Sequence, residues 1–216
     1  MARPRNQAAR RAQLIDAATQ AVLQRGSANA RLRDVAEHAG LTPASVLYYY
    51  PDLDELLAAV YEQGTRTYIV GRREAVEAAG DAWAKLRACI RSGVSFPGEA
   101  ETSSRLLYEL LPVAFRNDSA AQQQARFVAE QTELYHHVLQ AGADTAEFTL
   151  VAPAPFLARS FVALEDGYGI DVLAGVISAE EEEAKLLQHA QLATGIHTDE
   201  KHLEASSCQA YQAEDS

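Results

Sequence analysis

The stretch that most constrains how this chain folds is Arg31 to Leu57, RLRDVAEHAGLTPASVLYYYPDLDELL. A short amphipathic run carrying Leu32, Val35, Ala36 and Ala39 ends at Gly40. Glycine there suits the left-handed backbone with which helices commonly close. After Leu41, Thr42 offers a hydroxyl N-cap and Pro43 fits the first position of a new helix. The second run holds Val46, Leu47 and Tyr50 and stops at Pro51. Two helices this short cannot bury a core alone, so they need the longer helices before and after them. The unit predicted is a three-helix helix-turn-helix of the kind that inserts its second short helix into a DNA groove.

The same residues resemble the DNA-binding domain of TetR-family transcriptional repressors. The resemblance lies in Asp34-Val35-Ala36, Ala39-Gly40-Leu41, Ser45-Val46-Leu47-Tyr48-Tyr49-Tyr50-Pro51 and Glu55-Leu56-Leu57, within about the first 60 residues. It implies that Thr42, Ala44, Ser45, Leu47, Tyr48 and Tyr49 contact DNA. It also implies a homodimer formed through the last two helices. The sequence departs from the family pattern at Leu53, between Asp52 and Asp54, where the family often has a phosphate-binding lysine. Asp52 is expected to cap the fourth helix instead.

Charge distribution supports the DNA reading although the total of −11 does not. Residues 1–50 carry seven arginines and three acids, a net +4, whereas the remaining 166 residues carry 12 basic and 27 acidic side chains, a net −15. A basic end on an acidic body steers that end toward phosphate. Arg31 and Arg33 stand near the start of the second helix, where backbone N–H groups also favour an anion; two solvated arginines are the alternative. Residues 1–9 are expected to form a flexible basic arm, with Arg3 and Arg5 following a groove or only adding charge. Asn29 is expected to cap the second helix.

Small Ala44 and Ser45 let the reading helix sit deep in the major groove, and Tyr48 and Tyr49 can donate to phosphates. Val46 and Tyr50, four apart, are expected to point inward. A tyrosine cluster capping the three-helix core is the other reading for Tyr48 and Tyr50, and is favoured for Tyr50.

Beyond Pro51 the apolar spacing predicts helices only: one long helix from Leu53 to about Ala79, then Ala82–Gly93, Thr102–Arg116, Ser119–Ala141, Pro155–Ala174 and Ser178–Ala193. Ser178 and Glu181 have the spacing of a capping box. The fold class expected is therefore all-α, with a helix-turn-helix DNA-binding domain at 1–51 and a helical effector-binding and dimerisation bundle at 52–193. Residues 194–216 are polar and are expected to be disordered.

The body offers apolar and aromatic side chains for an effector cavity: Trp83, Leu86, Ile90, Arg105, Tyr108, Phe115, Phe127, Gln131, Tyr135, Phe161, Glu165 and Tyr168. Ordinary core is the alternative for each. Arg105 suits an effector carboxylate and, if buried, needs a partner. No phosphate loop, nucleophile elbow or zinc signature is present. Adjacent His136 and His137 point to different sides of a helix, His197 and His202 lack metal-site spacing, and Cys89 and Cys208 have no ligand pattern. No enzyme, metal or cofactor is expected.

With no run of about 18 apolar residues and no signal peptide, the chain is expected in the cytoplasm. The function expected is a dimeric repressor that binds a palindromic operator and is released by a small molecule. A helical enzyme or small-molecule-binding protein with a vestigial reader is the alternative.

Overall fold

Helix starts that the sequence marks with a hydroxyl or carboxylate are closed by those side chains. In the computed structural model, which describes residues 4–196, Thr42 Oγ1 accepts from the Ser45 N–H at 3.2 Å. Asp52 accepts from Glu55 N–H at 2.8 Å, Asp81 from Ala84 at 2.8 Å and Asn117 from Ala120 at 3.0 Å. Ser178 and Glu181 form a reciprocal capping box, at 3.2 and 2.8 Å. The described residues contain nine helices and no strand: α1 Pro4–Arg25, α2 Leu32–Ala39, α3 Pro43–Leu47, α4 Leu53–Glu77, α5 Ala82–Gly93, α6 Glu99–Ala114, α7 Asp118–Asp144, α8 Ala154–Leu173 and α9 Ala179–Thr194. Gly40 closes α2 with φ of 64°, a conformation that favours glycine.

Three local expectations are corrected. From Pro4 the residues assigned to a flexible arm continue α1, because proline suits a first helical turn and no helix breaker follows before Gly26; Arg3 lies outside the described residues. Asn29 does not cap α2. Its Nδ2 donates to the Arg25 carbonyl at 3.2 Å, while the Arg31 N–H at the start of α2 is held by Asp34 at 2.9 Å. At the other end, Thr194 belongs to α9 and is 1% exposed, and Ile196 packs on the core. The tail beyond it, with His197, His202 and Cys208, is outside the described residues.

Two apolar clusters organise the chain. The first joins Leu14, Ala18 and Val22 of α1, Val35 of α2, Val46 of α3 and Leu56, Val60 and Tyr61 of α4 to Leu106, Leu107 and Leu110 of α6. The second joins Leu86 and Ile90 of α5, Tyr135 and Leu139 of α7, Phe161 of α8 and Leu186 of α9. Helix α4 enters both, since Val76 near its end belongs to the second.

The share of α6 in the first cluster is not evident from sequence. Helical periodicity gives a buried face but not the neighbour that covers it. Glu109 of α6 reinforces this contact by accepting from the Ser27 N–H at 3.1 Å, in the loop between α1 and α2. Leu110 is fully buried. Leu110→Ala should therefore lower stability by about 2–5 kcal/mol, from lost apolar transfer and the cavity left behind. Urea unfolding followed by circular dichroism checks this; a loss below about 1 kcal/mol would mean that α6 is not part of this core.

Candidate nucleic-acid interface and interior cavity

At the N-terminal end, folding sorts the short helix α3 and the turn after it into two faces. Val46 is fully buried and Tyr50 is 5% exposed, both against the first cluster. Thr42, Ala44, Leu47 and Tyr48 are exposed, and Ser45 and Tyr49 half-buried. Thr42 and Ser45 hydroxyl oxygens lie 2.9 Å apart, and the Tyr48 and Tyr49 rings meet edge-on at 5.0 Å. Ala44, Ser45, Tyr48 and Tyr49 share an open groove with Arg10 of α1. Arg10 was counted in the basic end but not singled out; its place beside α3 depends on how α1 crosses the other helices.

The arginines of α2 differ. Arg33 is largely exposed, 3.7 Å from Asp34, whereas Arg31 folds back so that Nη1 donates to the carbonyls of Ala28 and Ala30 at 3.0 and 3.1 Å. Asp34 is buried and pairs with Arg25 at 3.4 Å as well. Leu53, in place of a lysine, is half-buried against the first cluster, so its side chain contributes to packing.

In the body, a buried arginine holds four helices together. Arg72 of α4 is 1% exposed and grips Glu165 of α8 with two parallel hydrogen bonds, Nη2 to Oε1 at 2.8 Å and Nη1 to Oε2 at 2.9 Å. Nη1 also donates to Gln131 of α7 at 3.0 Å and Nη2 to the Cys89 carbonyl of α5 at 2.8 Å. Tyr135 of α7 donates to the same carboxylate at 2.5 Å. Burial opposes the guanidinium charge, but the Glu165 carboxylate together with Tyr68, Cys89 and Tyr135 outweighs it and holds the arginine protonated. Burial likewise pushes the Cys89 thiol up to about 11, so it is not a nucleophile at neutral pH.

Beside this pair lies a cavity of about 150 Å³ between α4, α6, α7 and α8. Of the residues proposed from sequence, Tyr108, Phe127, Gln131 and Glu165 line it. Leu86, Ile90 and Phe161 do not: they are fully buried in the second cluster, and Trp83 and Tyr168 pack against it. Tyr135 stacks on Phe161 at 4.8 Å and serves the buried ion pair. Phe115 is 76% exposed near the end of α6. Arg105 is half-exposed and pairs with Glu101 one turn away at 2.8 Å, so the arginine that faces the interior is Arg72. Tyr61, Tyr68, Ser95, Ser104, Gln124 and Asp166 join the lining without having been singled out. Tyr61 and Tyr68 fall on the apolar spacing of α4, but core and cavity wall share that periodicity.

Glu182 of α9 is fully buried, and among the described residues neither carboxylate oxygen has a well-formed hydrogen bond; the Ser95 backbone is near enough only to pull weakly on it. Burial pushes its carboxyl from 4.5 up to about 7, against a lowering pull from the Ser95 backbone and with a further push from Glu165. Among the described residues no group of three or more His, Cys, Asp or Glu is arranged to hold a metal ion. No helix there is long and apolar enough to cross a membrane.

Two stability predictions follow from these groups. Arg72→Met strands Glu165 in the interior and should cost about 3–5 kcal/mol, most of it recovered when Glu165→Leu is added. Denaturant melts of single and double variants check this, and a single-variant cost under about 1 kcal/mol would contradict it. For Glu182 the native carboxyl titrates above its unfolded value, so the native state retains a proton between about 4.5 and 7. Stability is unpenalised below that window, falls as pH rises through it, and carries the full penalty above it. Glu182→Gln should therefore stabilise the protein by about 2 kcal/mol at pH near 8 and by little at pH near 5. Equal effects at both pH values would mean that the carboxyl is not perturbed.

Comparison with known proteins accords with this geometry. Residues 14–60 match the model of bacterial regulatory proteins of the tetR family. The chain is 24% identical over 200 residues to the uncharacterized HTH-type transcriptional regulator YfiR of Bacillus subtilis (strain 168), covering 89% of this chain and 94% of that one. Its fold is similar to that of a putative TetR-family regulator from Rhodococcus sp., with TM-score 0.75, 24% identity and coverage of 85% of this chain and 98% of that one. A putative transcriptional regulator from Saccharomonospora viridis, solved in complex with choline, gives 0.76 at 18% identity, covering 82% and 93%. FadR from Bacillus subtilis, in complex with stearoyl-CoA, gives 0.63 at 16% identity, covering 86% and 99%. With its helix-turn-helix at the N-terminus and an all-helical body behind it, the chain is similar to TetR-family transcriptional regulators, through the family match at residues 14–60 and the fold of the remainder.

Proposed function

We propose that this protein is a cytoplasmic, dimeric repressor whose grip on a palindromic operator is released by a small molecule bound in the body. The observation that carries the reading is α4. This uninterrupted helix of 25 residues, about 37 Å long, packs Leu56, Val60 and Tyr61 into the core behind the reading helix and presents Tyr61 and Tyr68 to the cavity. A ligand that reshapes the cavity wall therefore acts on the same rigid element that holds the reader.

In this reading residues 1–51 form the DNA-binding domain, with Thr42, Ala44, Ser45, Leu47, Tyr48 and Tyr49 at the groove and Arg33 toward phosphate, Arg31 reaching it only by leaving the Ala28 and Ala30 carbonyls. Residues 52–193 form the effector and dimerisation body. Two neighbours of the same fold were solved with small molecules, choline in one and stearoyl-CoA in the other, which supports a ligand-binding role for such bodies. Dimerisation through α8 and α9 is supported by large apolar side chains left in the open: Phe156 is 67%, Ile170 54% and Leu192 68% exposed. Two readers about one DNA turn apart would match a two-fold operator. The effector need only favour the form that does not bind DNA, and a 100-fold differential affinity is worth about 2.7 kcal/mol of that preference.

The test is fluorescence anisotropy on DNA from upstream of the protein's own gene, as a salt titration. Wild type should bind with an affinity that falls as salt rises. A Ser45→Arg, Tyr49→Ala double variant should lose at least about tenfold, the cost of one or two base or phosphate contacts. Identical binding by wild type and variant would remove the proposed reading face.

A further inference from the structure

The charge around the cavity is one-sided. Among the described residues its wall contains two carboxylates, Glu165 and Asp166, and no Lys, Arg or His. Glu182, fully buried and without a well-formed hydrogen bond among the described residues, adds a third acid close enough to raise the Tyr68 and Tyr108 hydroxyls. Facing these is Arg72, and its two amino groups are already engaged by Glu165, Gln131 and the Cys89 carbonyl. One guanidinium balances one carboxylate. Arg159, two turns back on α8, attracts Asp166 from a distance and forms no ion pair with it among the described contacts.

The neutral part of the wall favours the same sign. Tyr61 donates its hydroxyl proton to Gln124, Tyr68 to the Gly93 carbonyl at 3.3 Å and Tyr108 to the Asp166 carbonyl at 3.0 Å. With those protons engaged inside the wall, the phenols can offer a ligand ring faces and oxygen lone pairs. The donors left are neutral hydroxyls and amides. The Tyr68 and Phe127 rings meet at 71° with centroids 5.5 Å apart, making a corner of one face and one edge. Aromatic faces beside uncompensated carboxylates attract a cation whose own shell carries no strong donors, and an anion would meet repulsion with no charged donor to offset it.

We propose that the cavity takes a small organic cation, an alkylated ammonium, with its charge held against the rings of Tyr68, Phe127 and Tyr108 and neutralised by Asp166. The assignment rests on the cavity being the effector site. The volume of about 150 Å³ equals that of an engineered protein cavity that holds benzene, so a ligand of roughly six to eight heavy atoms fits without rearrangement. Asp166 lines the cavity while remaining exposed to solvent, and partial desolvation together with the neighbouring Glu165 pushes its carboxyl upward, an effect that a bound cation would oppose.

Three probes of one shape isolate the charge: choline, dimethylbutanol, in which carbon replaces the charged nitrogen, and dimethylbutanoate. Isothermal titration calorimetry on the full chain should give choline at least a tenfold advantage over dimethylbutanol, with dimethylbutanoate weakest. Asp166→Asn should bring choline to within about threefold of dimethylbutanol while leaving dimethylbutanol binding unchanged, which also reports that the variant is folded. Dimethylbutanol or dimethylbutanoate binding as tightly as choline, no binding of choline, or a choline preference that survives Asp166→Asn would each overturn the assignment. Operator anisotropy with the same probes separates the two levels. If choline binds with the stated preference and DNA binding is unmoved, the cation site stands and the effector reading falls. If only the neutral or anionic probe binds and weakens DNA binding, the effector reading stands and the cation assignment falls.

Discussion

The interior of the body depends on one ion pair. Arg72 and Glu165 meet at 2.8 Å with almost no exposure on either side, and their remaining hydrogen-bonding capacity draws in Gln131, Tyr135 and the Cys89 carbonyl. Removing two charges from water is costly, and only good geometry with further hydrogen bonds offsets it. Here the fork of the guanidinium lies parallel to the carboxylate, which meets that condition. The pair also dictates its surroundings. Gly93 is glycine because a side chain there would run into the Glu165 carboxylate and come within 3.0 Å of Arg72. Helix α5 therefore ends where the charge pair begins, and α4, α5, α7 and α8 share one fixed point.

That point sits on the helix that leads to the reader. Arg72 lies one turn beyond Tyr68, whose ring lines the cavity and whose hydroxyl donates to the end of α5. Five turns of continuous α-helix separate Arg72 from Leu53 at the head of α4. The first cluster is not sealed from the body either, since α6 packs Leu106, Leu107 and Leu110 into it while Leu107 and Tyr108 line the cavity. Two helices thus run from cavity to reader. A change at the cavity wall needs no flexible relay to be felt at α3, because packed helices move as units.

Residues whose role is local were legible in the sequence. Gly40, Thr42, Pro43, Asp52, Ser178 and Glu181 act within four residues of themselves, and each does what its chemistry prescribes. The inward Val46 and Tyr50 follow from helical spacing alone, whereas for Tyr48 spacing left a DNA-facing and a core-capping place open and the fold leaves it exposed. Arg105, which would need a partner only if buried, is not the buried cation, for a related reason. Arg105 has leucines around it in sequence, yet its own position on α6 is half-exposed and satisfied by Glu101. Arg72 has Gly71 and Arg73 as neighbours and looks like a surface residue. Its depth comes from Glu165, 93 positions away, and no local pattern encodes a partner at that distance.

What the sequence by itself determined is the set of helices, those of their ends that a capping side chain or a breaker marks, the inward face of the reader and the concentration of positive charge at the N-terminal end. All of these are set by capping, periodicity and counting, which act over a few residues. Only the tertiary structure decided which aromatic side chains became core and which became cavity wall. Trp83, Leu86, Ile90 and Phe161 share the apolar character of Tyr61, Tyr68, Tyr108 and Phe127, but the first group meets a neighbouring helix and the second borders the cavity. Burial against another helix is a property of the packing between distant segments, where α6 crosses α4 and Glu165 reaches Arg72, and side-chain type cannot specify it in advance.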